Sequence, residues 1–149
     1  MTTSVDTSMV LAGLVAHLAE KNLIQWNPSL GYNENPNKPA GRYGIMMDKP
    51  DTQVTVNVYD HSTTDDDYNP MVYVQLRFRA AGKDPRVVDR LADAVFAELH
   101  WSYFHPVEEW SGGAHVLMSR RVVRGISAPD DSDRYERPDS YCITFNPGD

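Results

Sequence analysis

Met71-Val-Tyr-Val-Gln-Leu-Arg-Phe-Arg79 alternates apolar and polar residues without a break. Val72, Val74, Leu76 and Phe78 fall on one face and Tyr73, Gln75, Arg77 and Arg79 on the other, the period-two pattern of a half-buried strand. Just upstream, Thr52 to Tyr59 repeats the pattern, with Val54, Val56 and Val58 opposing Gln53, Thr55 and Asn57. Two such segments predict a sheet with one apolar and one polar face. Downstream, Asp84 can cap a helix and Pro85 suits its first turn, while Val88, Leu91, Ala92, Val95 and Leu99 recur at helical spacing.

Farther out the signals are weaker but consistent. Residues 6–21 predict an amphipathic helix capped by Asp6 or Thr7, with Val10, Leu11, Leu14, Val15 and Leu18 on its apolar stripe. Gly13 weakens it by up to about 1 kcal/mol relative to alanine. Leu23 to Trp26 is a short extended piece, and 27–42, dense in Asn, Pro and Gly, is a long exposed loop. Gly44 to Met47 is a short candidate strand. Residues 100–113 form an aromatic loop, Ala114 to Ile126 a strand, and Tyr141, Ile143 and Phe145 mark a last strand after a charged loop. The order α-β-β-β-α-β-β predicts a single α+β domain over 1–149: two layers, a mostly antiparallel sheet, both helices packed on one face, and long exposed loops.

Composition bounds the function. The chain has 149 residues, 41% hydrophobic and 23% charged, too apolar for a disordered chain. No run reaches the ~18 apolar residues of a membrane span. The first residues lack the basic region of a signal peptide, so the expectation is a soluble, intracellular protein. Cys142 is the only cysteine, which excludes an internal disulfide. The net charge is −7, and it is localised: 60–67 and 127–139 carry the whole excess and the body is neutral. A general nucleic-acid binder would instead show a basic patch.

Candidate chemistry is thin. Asp65, Asp66 and Asp67, with Asp60 and Asn69, offer oxygen ligands but lack the EF-hand spacing that converges on calcium, and a solvated acidic loop accounts for them better. The histidines (His17, His61, His100, His105, His115) form no zinc motif. Cys142 sits in an apolar strand, where it acts as a small hydrophobe. No serine occupies a nucleophile elbow, Ser111-Gly-Gly113 lacks the phosphate-loop lysine, and Glu108-Glu109 point apart. Trp101, Tyr103, Phe104 and Trp110 form either a lid over the core or a partner surface. No catalytic residue, cofactor or metal is expected.

An N-terminal helix, a Pro/Asn/Gly-rich loop, a strand and then Val74-Gln-Leu-Arg-Phe-Arg79 running into the helix of Val88 and Leu99 resembles the tail terminator (minor capsid or minor tail) proteins of long-tailed, siphovirus-type phages. So does Asp133-Arg-Tyr-Glu-Arg137 leading into Tyr141-Cys-Ile-Thr-Phe145. The resemblance implies an α+β protomer and a virion protein, present in the host cytoplasm during assembly. It would form a homo-hexameric ring on the head-proximal end of the tail tube, stop tube polymerisation, and meet both tail-tube and head-completion proteins. DNA would pass through it without specific binding.

Within that reading, Arg77, Arg79, Arg120, Arg121 and Arg124 are expected to meet acidic loops of adjacent subunits, setting register more than affinity. Arg134, Arg137, Trp101 and Trp110 are further interface candidates, and Asp65, Asp66 and Asp67 are candidates for an acidic channel lining. The alternatives are another neck or head-completion connector, or a small hydrolase or ligand-binding domain with a pocket near 100–115.

Overall fold

The computed structural model describes residues 6–27, 29, 31–62, 69–101 and 105–146. Helix α1 (Thr7–Glu20) starts where Asp6 Oδ1 accepts the Ser8 and Met9 N–H groups. Strands β1 (Ala40–Tyr43), β2 (Gln53–Ser62) and β3 (Met71–Ala80) follow, then α2 (Pro85–Leu99), capped by Asp84 with proline in its first turn. The last part contains β4 (Glu108–Glu109), β5 (His115–Val123), β6 (Ala128–Pro129) and β7 (Tyr135–Asn146).

Seven strands make one sheet in the order β1-β2-β3-β7-β5-β4, with β6 pairing β7 off this path. Strand β7 is the spine. It pairs with β3 over ten residues on one side and with β5, then β6, on the other. The opening pair, β1 with β2, is parallel, and every other pair is antiparallel.

This overturns the two-layer α+β expectation of a mostly antiparallel sheet with both helices packed on one face. The described residues are mostly β, with 38% strand, two helices and a curled, mixed sheet that forms a half-barrel. Two physical causes are visible. Register shifts between Val58 and Asp60, between Val116 and Met118, and between Arg121 and Val123 insert extra residues, and such bulges bend a strand and increase its twist. In addition, the nine-residue connection 44–52 doubles back so that β1 lies parallel to β2. It covers the face of β2 that alternation assigns to solvent, so Gln53 and Thr55 are buried along with Val54 and Val56.

Two boundaries also move. The segment 44–47 is not a strand: Gly44 takes φ +79°, a conformation glycine adopts without penalty, and turns the chain out of β1. The charged segment expected as a loop before Tyr141 already belongs to β7 from Tyr135 onward. There the chain turns Arg137 and Asp139 inward, in line with Tyr141, Ile143 and Phe145.

One core results. Val10, Leu14 and Leu18 of α1 and Val88, Val95 and Leu99 of α2 join Val54, Val74, Leu76, Phe78, Ile143 and Phe145 of the sheet in a single buried cluster. Gly13 of α1 is not merely a weak helix residue: a Cβ there would lie 3.2 Å from Trp110 Cβ, so glycine admits the close packing of that ring. No helix among the described residues is long and apolar enough to cross a membrane.

Candidate assembly surface

The arginines singled out by sequence divide into two groups. Arg79 is 4% exposed. Its Nε donates to Asp51 O (2.8 Å) and its Nη2 to the carbonyls of Met47 (2.7 Å), Asp48 and Pro50 (both 3.0 Å). Burial lowers its pKa, and the cation is held in place by oxygens of the 44–52 connection. Gln53, fully buried beside it, accepts from Met47 N and from Arg42 Nε and donates to the carbonyls of Met47 and Pro50. Together they clamp the crossover.

Arg137 is fully buried. It donates to Asp139 (2.9 and 3.1 Å), Asp89 (2.9 Å) and Asp93 (3.1 Å), tying the spine strand to α2. Burial alone would lower its pKa, but Asp139 and Asp89 outweigh that and hold it well above the usual arginine value. Asp139 also accepts from Gly125 N (3.0 Å) and lies 3.5 Å from Arg121 Nη1. The Arg121 guanidinium sits 3.9 Å over the Phe96 ring. Arg134 bridges Asp130 (2.9 Å) and Asp51 (3.0 Å), joining two loops far apart in sequence. Arg79, Arg121, Arg134 and Arg137 therefore direct their guanidinium groups into the fold of the chain itself.

Arg77, Arg120 and Arg124 remain at the surface. Arg77 pairs with Glu136 across the outer face (3.4 Å) while staying 42% exposed. Arg120 and Arg124 are exposed on and just beyond β5 and make no ion pair among the described residues. Asp65, Asp66 and Asp67, the candidate channel lining, lie outside the described residues.

Of the aromatic segment, Trp101 and Trp110 pack into the core as a lid would, while Tyr103 and Phe104 lie outside the described residues. Trp101 and Trp110 are 7% and 3% exposed and meet edge to face at 6.3 Å. Their indoles donate to Glu98 O (2.8 Å) and Glu108 Oε1 (3.2 Å). His17 stacks on Trp110 and pairs with Glu98 at 2.9 Å, while His105 stacks on Trp101 and pairs with Glu108 at 3.0 Å. Burial raises the Glu108 pKa, but His105 and Trp110 outweigh it, and the carboxyl ends below its ordinary value. These rings pack on one another and on the core.

The surface that sequence reasoning missed is apolar. Among the described residues eight large hydrophobic side chains are exposed, and six of them fall in two places: Tyr43, Ile45 and Met47 at and after the end of β1, and Val122, Val123 and Ile126 at and after the end of β5. The first group lines a groove of about 340 Å³ shared with Trp26, Tyr32 and Arg42. The two clusters lie on opposite sides of the sheet path, beyond β2 at one end and on the β5–β6 flank of β7 at the other. A partial signal existed in 122–126, where the apolar alternation of the strand fails. No known protein family and no curated protein matches the chain.

Proposed function

We propose that this chain is a structural assembly protein of a phage virion. It forms a ring at the head-proximal end of a tail tube, ends tube polymerisation and joins tail to head. The observation that carries the reading is the pair of exposed apolar clusters, one on each flank of the sheet. A subunit of a closed ring needs two different surfaces, one for each neighbour, because heterologous contacts generate rings when the rotation closes. The resemblance supports the rest: Val74 to Arg79 forms β3 and leads into α2, and Asp133 to Phe145 leads into and forms β7, the two strands that pair over ten residues at the centre of the sheet.

Under this reading the arginine contribution to subunit contacts falls to Arg77, Arg120 and Arg124. The other named arginines organise the protomer that presents those contacts. Tail-tube protein polymerised with increasing amounts of this chain should give tubes with a narrower, shorter length distribution. Electron micrographs should show a cap at one end. Unchanged tube lengths count against the proposal, and binding to a portal complex rather than to the tube points to another neck connector.

A further inference from the structure

We propose that the Tyr141 hydroxyl holds an internal water molecule, shared with Arg121 and Asp93, where the spine strand meets α2. The site lies within one chain and stands whether or not copies of the chain assemble.

Tyr141 is fully buried, and its Oη has no hydrogen-bond partner among the described residues. Native interiors rarely leave a hydroxyl in that condition, because nothing then replaces the hydrogen bond it made to water before folding. Ser119 Oγ is the other such atom among the described residues, but it lies on β5 opposite the apolar Ile143. The surroundings of Tyr141 are charged instead. Arg121 is its cross-strand partner on β5, and Asp139 stands two residues before it on the same face. Asp139, Arg121, Arg137 and Asp93 all act on the phenol electrostatically, while burial dominates and raises its pKa, so the group is a neutral O–H.

None of these neighbours pairs with that O–H directly, and each has a reason. Asp139 is saturated: its Oδ1 accepts from Arg137 Nε and Gly125 N, and its Oδ2 from Arg137 Nη2 and Arg121 Nη1. Guanidinium groups carry donors only, so Arg121 and Arg137 offer the phenol proton no acceptor. The Arg121 plane is also fixed, 3.9 Å over the Phe96 ring, with one contact to Asp139. Asp93 gives Oδ1 to Arg137 Nη2, and its side chain is 57% exposed. A water reconciles the three groups. It accepts from Tyr141 Oη and from Arg121 and donates to Asp93, the three bonds usual for a buried water. Polar sites of this kind hold water, whereas apolar cavities stay dry. Asp93, half in solvent, gives the water its way in. The Arg137–Asp139 network thereby extends to the next inward residue of β7.

High-resolution crystals of the protein and of Tyr141→Phe, with urea denaturation of both, test the site. Wild type should show a water about 2.5–3.0 Å from Tyr141 Oη, and the variant should lose it. The folded-to-unfolded ratio should fall in Tyr141→Phe by roughly two- to tenfold, the worth of one net hydrogen bond. A wild-type hydroxyl with no water beside it overturns the inference, as does one that bonds Asp93 or Asp139 directly. So does a water that persists unchanged in the variant. A Tyr141→Phe protein as stable as wild type, or more so, also overturns it, because phenylalanine relieves a hydroxyl that was dry.

Discussion

Arg137 and Asp139 stand two residues apart on the spine strand, both fully buried, and join side by side through two hydrogen bonds of 2.9 and 3.1 Å. Residues i and i+2 of a strand share a face, so the pair forms within one strand and needs no neighbouring strand to assemble it. Its cost is desolvation, which the remaining partners offset: Asp89 and Asp93 for the arginine, Gly125 N–H and Arg121 for the carboxylate. Removing one member leaves an uncompensated charge in the interior. Arg137→Met should therefore destabilise the protein by about 3–5 kcal/mol, a large share of the ~5–15 kcal/mol that holds a domain together. Chemical denaturation measures it, and Arg137→Met with Asp139→Leu should recover part of the loss.

Gly125 meets the same network from the outside. A Cβ built on it would overlap the Pro138 carbonyl and lie 2.8 Å from Cδ of that proline. The close approach occurs where β7 lacks a strand partner on that side, between β5, which ends opposite Ser140, and β6, which begins opposite Glu136. Gly125→Ala must push the 122–126 segment away and break the bond to Asp139. Overpacking of this kind costs about 1–3 kcal/mol, and loss of the buried hydrogen bond adds to it. The midpoint of denaturation should fall, and amide exchange at residues 122–128 should quicken more than at β3.

The sequence carries α2, β2 and β3 openly, because period-two and helical spacing are set by side chains that reach one core. It hides the start of β7, since Arg137 and Asp139 imitate a solvated loop when read singly and become strand residues only once paired. It hides the curl, because bulges at Tyr59, Leu117 and Val122 depend on how strands align. The role of Arg79 was invisible for the same reason. Its alternation is polar, and only the return of residues 44–52 over β2 makes the polar face an interior. The exposed clusters depended on both hidden features.

Arg79 is the test of that crossover. Four carbonyl oxygens of residues 47–51 accept from its guanidinium, and no other residue type reaches them all with a planar fork of donors. Arg79→Met removes one donor from each: Gln53 still donates to the Met47 and Pro50 carbonyls and Arg134 to that of Asp48, so Asp51 O is the acceptor that loses its donor outright, at roughly 1–3 kcal/mol where water cannot replace it. Hydrogen exchange should rise across 44–52 while β7 stays protected, and stability should drop by about 1–3 kcal/mol. Arg79→Lys should rescue only partly, because a single ammonium cannot span the set.

Glu108 supplies a pH signature. Burial pushes its carboxyl up, yet the hydrogen bonds from His105 and Trp110 and the nearby His17 hold it below its ordinary value of 4.5. A carboxyl with a depressed folded pKa contributes stability that is present above the unfolded value and lost as pH falls through the folded one. The aromatic lid should accordingly loosen below about pH 4.5. Trp110, bonded to Glu108 and stacked on His17, reports it: indole fluorescence should change in that acid range, before or with global unfolding. Glu108→Gln removes the titrating group, so its fluorescence should stay flat there apart from global unfolding. A wild-type profile that matches the variant's through pH 3 would show that this carboxyl does not hold the lid.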